Sequence, residues 1–153
     1  MSAYARRKGH QFERDICNML TDELGIECRR VLEQVREKEL GDIQLGPFVI
    51  ECKRYKNLGE PPADWWKQAW AASQNLRLIP VLIWKFDRKP IKVTLPLSLL
   101  GWYPNEIIYT ATTDWQTGMM VMREHLATEE QARQWLDDER DSEDFLESYT
   151  LPD

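Results

Sequence analysis

Hydrophobic positions along the first part of the chain recur at helical spacing in two places. Between about Tyr4 and Glu23 the apolar residues form one stripe: Phe12, Ile16, Met19, Leu20 and Leu24. Gly25 follows directly, as glycine often does where a helix ends. Trp65, Ala69, Ala72 and Leu76 repeat this spacing after a linker rich in glycine and proline. The pattern therefore predicts two helices, over residues 4–23 and 62–75.

Shorter apolar runs bounded by turn residues predict strands between and after these helices. The predicted strands cover residues 26–32, 42–45, 48–53, 78–86 and 91–97, with residues 33–39 as a loop. Gly46 and Pro47 separate the second and third strands and predict a β-hairpin. The order over the first hundred residues is therefore helix, three strands, helix, two strands.

The predicted hairpin places polar side chains together at its open end. With Gly46 and Pro47 in the turn, Asp42 faces Glu51, and strand alternation puts Glu51 and Lys53 on the same face. Opposed carboxylates repel each other unless a cation lies between them, so the arrangement favours a metal site. The alternative is an ordinary solvent-exposed face of an antiparallel hairpin, where such residues are common.

Each predicted helix carries one polar residue beside its apolar stripe. Glu13 either lies at the rim of the core with its carboxylate in water, which is the more common arrangement, or points into a polar site. Gln68 lies between Trp65 and Ala72 on the same side of its helix, so it is expected on a buried face or lining a cleft.

The last third of the chain is predicted to be a separate, acidic extension. Short strands are expected over residues 106–111 and 119–123, and Thr128 with Gln131 three residues later predicts a capping box opening a helix to about residue 140. We therefore divide the chain into a core over residues 1–100 and an extension over residues 101–153, packed on or beside that core.

Charge is distributed unevenly between these two parts. The net charge is −6, but residues 1–92 carry +4 and residues 93–153 carry −10. The N-terminal part is therefore suited to meet phosphates, while the acidic part points away from them.

The length, 153 residues, fits a single domain. No apolar run is long enough for a membrane span, and three cysteines without CxxC spacing indicate reduced thiols in the cytoplasm.

Four stretches of the chain resemble one known group of enzymes. They are residues 7–14 with Glu13, residues 41–43 with Asp42, residues 50–54 with Glu51 and Lys53, and residues 79–82. In this order they resemble the PD-(D/E)XK nuclease superfamily, and within it the phage and archaeal Holliday-junction resolvases. The resemblance covers residues 6–100 and implies an α/β, restriction-endonuclease-like αβββαβ core, a mixed central sheet flanked by helices. Gly41 stands where the motif has its proline.

The resemblance implies a metal-dependent DNA endonuclease and assigns roles to individual residues. Mg²⁺, for which Mn²⁺ substitutes, would be held by Asp42, Glu51 and the backbone carbonyl of Cys52, with Glu13 binding directly or through water. Lys53 would orient or help to deprotonate the attacking water, and Gln68 would position water or phosphate. The candidate DNA-backbone contacts are Arg7, Lys8, Arg29, Arg30, Arg54 and Lys56.

The expected substrate is branched DNA such as a four-way junction, cut by a homodimer in the cytoplasm, with a phage as one source of the gene. Two alternatives remain open. The same site could serve another structure-specific or sequence-specific phage or restriction-type nuclease, or the fold could be a non-catalytic DNA-binding or protein-binding module. The acidic balance of the chain is unlike that of typical resolvases.

Overall fold

The computed structural model describes residues 2–31, 41–101 and 105–148, and for residues 143–148 the backbone alone. Within these ranges an α/β fold is built on one mixed sheet of six strands. The helices are α1 (Ala3–Leu24), α2 (Ala63–Leu76) and α3 (Trp115–Ser148), with a short 3₁₀ helix at Leu97–Leu100. The strands are β1 (Arg29–Arg30), β2 (Ile43–Leu45), β3 (Phe48–Tyr55), β4 (Ile79–Phe86), β5 (Lys92–Pro96) and β6 (Thr110–Asp114).

The strands lie in the sheet in their chain order, from β1 to β6. Neighbouring strands are antiparallel except for β3 and β4, which are parallel and are connected through α2. A parallel pair needs such a crossover, whereas a two-residue turn is enough for the hairpin of β2 and β3. The predicted α/β class, mixed sheet and αβββαβ order are confirmed. The predicted loop over residues 33–39 lies outside the described residues.

Helix α1 packs on the sheet through the predicted apolar stripe. Phe12, Ile16 and Leu20 are buried, and the helix ends at Gly25, whose φ of 68° lies in the left-handed region that favours glycine. At the other end, the Ser2 hydroxyl accepts a hydrogen bond from the Ala5 backbone N–H. These contacts fix the position of α1 on the sheet, and with it the position of Glu13.

Helix α2 is held on β4 by aromatic contacts. Trp65 is buried, and its ring centroid lies 6.4 Å from that of Trp84 and 6.0 Å from that of Phe86. Ala69 and Ala72 are buried on the same face, so their small side chains let the helix approach the sheet closely. The predicted packing stripe is thus confirmed for three of its four residues; Leu76 is only partly buried.

The C-terminal third differs from its prediction. Residues 110–114, which the sequence assigned to the extension, form β6 and pair with β5 of the central sheet. Residues 119–123 are helical and not a strand, since α3 begins at Trp115, where the Asp114 carboxylate accepts the Thr117 N–H at 2.7 Å. A Cβ atom added to Gly118 would lie 2.7 Å from Val93 Cβ, so glycine permits the close approach of helix and strand there.

The capping box predicted at Thr128 is also wrong. Thr128 lies inside α3, and its hydroxyl donates to the backbone carbonyl of Glu124 at 2.9 Å. The chain divides into two compact units between Val121 and Met122, and residues 122–148 form a continuous part of α3. Among the described residues, no helix is both long and apolar enough to cross a membrane.

Candidate active site

The open end of the β2–β3 hairpin positions the Asp42 carboxylate. The Asp42 N–H donates to the Ile50 carbonyl at 3.0 Å, which extends the ladder by one residue beyond β2. Ile43 lies opposite Ile50 and Leu45 opposite Phe48, so the predicted register is confirmed. Asp42 is 8% exposed, and its Oδ2 atom accepts the Cys52 N–H at 2.8 Å. The carboxylate is therefore buried and fixed by backbone contacts on its partner strand.

The residue before Asp42 explains the missing proline of the motif. Gly41 has a φ of 73°, a left-handed conformation that glycine adopts freely and proline cannot, because the proline ring holds φ near −65°. A Cβ atom at this position would lie 2.5 Å from Val49 Cγ2. In this chain, then, glycine sets the backbone path that aims Asp42 at β3.

Glu51 and Lys53 lie on the same face of β3, as strand alternation requires. Their side chains are 12% and 17% exposed, and Lys53 Nζ lies 3.5 Å from Glu51 Oε1. Burial first and the nearby Asp42 carboxylate second raise the pKa of Glu51 to about 8, although Lys53 acts in the opposite direction. One ammonium group is therefore too little positive charge to keep both carboxylates ionised at neutral pH.

Glu13 reaches the same region from α1. Its side chain is 7% exposed, and Oε2 accepts a hydrogen bond from Arg30 Nη2 at 3.2 Å. His10 Nδ1 lies 3.9 Å from the same oxygen, one helical turn earlier. The rim position in water is therefore not what the structure shows, because Glu13 is held in a buried polar environment.

One cavity of about 540 Å³ brings the predicted acidic residues together with Lys53. Glu13, Asp42, Glu51 and Lys53 line it, together with Cys52. Burial raises the pKa of the Cys52 thiol well above its ordinary value, so sulfur is a poor ligand here and the backbone carbonyl is the donor that remains.

Gln68 and Arg29 do not line this cavity. Gln68 is exposed on α2, because the buried face of that helix is turned toward Ser73. The expectation of a buried position is therefore wrong, whereas a position lining another cleft stays a prediction. The Arg29 side chain is 76% exposed and lies 3.9 Å from Glu27. Arg30, which is also a predicted DNA contact, is partly exposed and contacts Glu13.

The remaining predicted cations surround the cavity. Lys8, Arg54 and Lys56 line it, whereas Arg7 lines a neighbouring cleft. Lys8 and Arg54 both contact the Asp87 carboxylate, which follows directly after β4. Three of the six predicted DNA contacts therefore line the cavity, a fourth, Arg30, contacts Glu13, and a fifth, Arg7, lines the neighbouring cleft.

Sequence reasoning missed two residues of this region. His10 precedes Glu13 by three positions, so helical spacing alone places both on the same side of α1. Asp87 lies between the predicted strands 78–86 and 91–97, and nothing in its neighbourhood along the chain indicates the contact with Lys8, 79 residues away.

The cavity offers few side-chain ligands for a divalent metal ion. Among the described residues, no group of three or more His, Cys, Asp or Glu side chains is arranged to hold a metal ion. Mg²⁺ is commonly bound by one or two carboxylates, with water and phosphate completing its octahedron. Asp42 and Glu51, buried together with insufficient positive charge, fit such a site.

A mixed α/β sheet with two carboxylates and a lysine at one hairpin has the arrangement of a PD-(D/E)XK nuclease. Comparison with known families identifies the particular group. The family described as "Phage putative PDDEXK endonuclease" matches residues 4–139 of the 153. The chain belongs to this phage PDDEXK endonuclease family.

A search of curated proteins found no significant match. Among solved structures, the chain is similar to Archaeoglobus fulgidus Hjc, a Holliday junction resolvase from an archaeal hyperthermophile. The two share 23% sequence identity, with a TM-score of 0.46. The match covers 71% of this chain and 85% of that chain.

Proposed function

We propose that the protein is a Mg²⁺-dependent DNA endonuclease that hydrolyses phosphodiester bonds in branched DNA, such as a Holliday junction. The observation that carries the proposal is the meeting of Asp42, Glu51 and Lys53 in one cavity with Glu13. A binding module has no need of two carboxylates whose burial and mutual repulsion raise the pKa of Glu51 to about 8.

Asp42 and Glu51 would hold the metal ion, together with the Cys52 carbonyl. When bound, Mg²⁺ would supply positive charge for the phosphate and lower the pKa of a bound water. The hydrogen bond from the Cys52 N–H already fixes the Asp42 carboxylate. Binding of the ion would therefore restrict the conformation of this side chain only a little further. Mn²⁺ has similar ligand preferences and is expected to substitute.

Lys53 has two tasks that follow from its position beside Glu51. Its ammonium group orients the attacking water by hydrogen bonding, and it offsets the negative charge that develops on the phosphate oxygens. In the reaction the water oxygen forms a bond to phosphorus while one P–O ester bond breaks. The attacking water gives up its proton to solvent, and the leaving oxygen gains a proton from solvent.

Glu13 acts one step further from the reaction. Its carboxylate is held by Arg30 and lies in the same cavity, so it is suited to accept hydrogen bonds from water around the metal ion. Arg30 is then a positioning residue for Glu13. Gln68 has no place in this mechanism, since it is exposed on α2.

The substrate is proposed from charge and geometry. Lys8, Arg54 and Lys56 line the cavity and are suited to contact backbone phosphates, which position DNA without reading its sequence. One chain contributes one set of hairpin carboxylates, so symmetric cutting of two strands requires two chains. We therefore propose a homodimer as the active form, acting in the cytoplasm of a host cell.

A cleavage assay tests this function. Four-way junction, flap, splayed and linear duplex DNA of equal length are incubated with the protein in Mg²⁺, in Mn²⁺ and in EDTA, and light scattering gives the oligomeric state. We expect cutting with Mg²⁺ or Mn²⁺ only, fastest on the four-way junction, by a dimer. If linear duplex were cut fastest, branched DNA would be wrong as the proposed substrate, and linear duplex would take its place. DNA binding without cutting under all three conditions would refute the enzyme.

A further inference from the structure

A second cleft, of about 630 Å³, lies beside the candidate active-site cavity. The two share Tyr4, Lys8 and Arg54 in their walls. The cationic residues that line the second cleft come from α1, β3 and the turn after β4: Arg7, Lys8, Arg14, Arg54 and Arg88. We call this the basic cleft. It lies outside the carboxylate site, but a chain-like ligand in one cavity can continue into the other.

One carboxylate, Asp87, lies among these cations and organises part of the wall. Lys8 donates a hydrogen bond to Asp87, and Arg54 Nε lies 3.6 Å from Asp87 Oδ1. The hydrogen bond from Lys8 holds the pKa of Asp87 below its usual value, so this carboxylate is ionised at neutral pH. Asp87 therefore fixes Lys8 and Arg54 in the shared wall, and the cleft still has a surplus of four positive charges.

The other three cations of the basic cleft are Arg7, Arg14 and Arg88. Arg7 and Arg14 are exposed on α1, and Arg14 Nη2 donates to the Gln11 side chain at 3.0 Å, which orients its guanidinium along the helix. Arg88 is exposed in the turn between β4 and β5. Guanidinium groups present several N–H donors to phosphate oxygens in a planar arrangement, so arginine suits backbone recognition better than lysine.

Arg88 occupies a backbone conformation that favours glycine. Its φ of 62° lies in the left-handed region, where a Cβ atom is disfavoured. Among the described residues, the other non-glycine residue with positive φ is Arg77, at 54°. Arg77 is exposed and caps the C-terminus of α2, and it lines neither cavity. The two arginines therefore form a matched pair that differs in location.

We propose that the basic cleft binds the DNA backbone next to the phosphate that is cut, with Arg14 and Arg88 as phosphate contacts and Asp87 as a positioning residue. The inference rests on the proposed function for the identity of the strand as substrate. A polyanion that enters the carboxylate cavity and passes the shared wall of Lys8 and Arg54 meets Arg14 and Arg88 in the adjoining space. Successive backbone phosphates supply the repeated negative charge that this surplus of cations requires.

The test measures the salt dependence of DNA binding by Arg88→Gly and Arg77→Gly. The probe is a fluorescein-labelled 30-base-pair duplex, titrated in EDTA at several NaCl concentrations and followed by fluorescence anisotropy. Loss of one phosphate contact lowers the slope of log affinity against log salt by about one unit. We expect this change for Arg88→Gly and for Arg14→Ala, and an unchanged slope for Arg77→Gly. Both glycine variants keep the fold, because glycine accepts the left-handed conformation.

The outcomes separate this inference from the proposed function. Slopes for Arg88→Gly and Arg14→Ala equal to that of Arg77→Gly would overturn the basic cleft, even if the wild-type protein cuts DNA in Mg²⁺. A wild-type protein that binds no DNA would overturn it as well. Reduced slopes in a protein that binds but cuts no DNA would support the cleft while the proposed catalytic function fails.

Discussion

Metal binding at the hairpin should release a proton from Glu51, and the size of this effect follows from the site. The pKa of Glu51 in the metal-free protein is raised from 4.5 to about 8, first by burial and then by the Asp42 carboxylate. A divalent ion binds the ionised carboxylate, so it must displace the proton wherever the pH is below that pKa. Lowering the pH should therefore weaken the binding of the metal ion.

The magnitude can be worked out from a single titrating group. With a pKa of about 8, roughly nine-tenths of the Glu51 side chains are protonated at pH 7 and nearly all at pH 6. The apparent metal affinity should then rise about ninefold from pH 6 to pH 7 and about fivefold from pH 7 to pH 8, and become constant above roughly pH 9.

Mn²⁺ provides the assay, because the electron paramagnetic resonance signal of the free ion reports binding directly. Titrations at pH 6, 7, 8 and 9 give the apparent dissociation constant. Glu51→Gln removes the titrating group, and its residual Mn²⁺ affinity should change little with pH. His10→Gln is the control for the histidine that lines the same cavity. An affinity for the wild-type protein that is constant between pH 6 and pH 8 would refute the reasoning.

The same shift predicts the pH dependence of stability without metal. The folded protein holds the Glu51 proton more tightly than the unfolded chain, so its contribution to stability is fully present below pH 4.5 and is lost as the pH rises toward about 8. The thermal midpoint of the wild-type protein should therefore fall further below that of Glu51→Gln as the pH rises from 5 to 8. A difference that stays constant across this range would contradict the buried environment of Glu51.

Three further variants test the surroundings of the site. Glu13→Gln keeps the size but weakens the contact with Arg30, and cleavage should fall about tenfold or more while circular dichroism stays unchanged; unchanged kinetics would remove Glu13 from the site. Gly118→Ala should cost about 1–3 kcal/mol in urea unfolding, because the added Cβ would lie 2.7 Å from Val93; wild-type stability would contradict the packing. Gly41→Pro should lower the thermal midpoint and abolish cleavage, since proline cannot adopt a φ of 73°; an active variant would show another backbone path.

The hairpin was predictable because its signals are local. Gly46 and Pro47 fix the turn, and alternation along the strands then determines which side chains share a face, so the pairing of Ile43 with Ile50 follows from the sequence. Glu13 was undecided because its partner, Arg30, is 17 residues away and reaches it only after α1 has packed on the sheet. The helical stripe gives the position of a residue around the helix but does not give its partner.

The surroundings of a residue override its local signal in the three places where prediction failed. Gly118 weakens the helical pattern of α3, yet the close contact with Val93 favours glycine there, and the strand expected over residues 119–123 is helical. The capping-box residues at Thr128 have helical neighbours on both sides, so the threonine bonds backward to Glu124. The prediction of a buried Gln68 is wrong because the buried face of α2 includes Ser73, which leaves Gln68 exposed.

The most direct test of the proposed site compares cleavage by Asp42→Asn and Glu51→Gln with that of the wild-type protein at saturating Mg²⁺. Each change keeps the size of the side chain and removes one charge, and urea unfolding checks that the fold is retained. Two ligands of one metal ion should each be indispensable, so both variants should lose cleavage by at least about a thousandfold while still binding DNA. Near-wild-type turnover by either folded variant would contradict a metal site at the end of this hairpin.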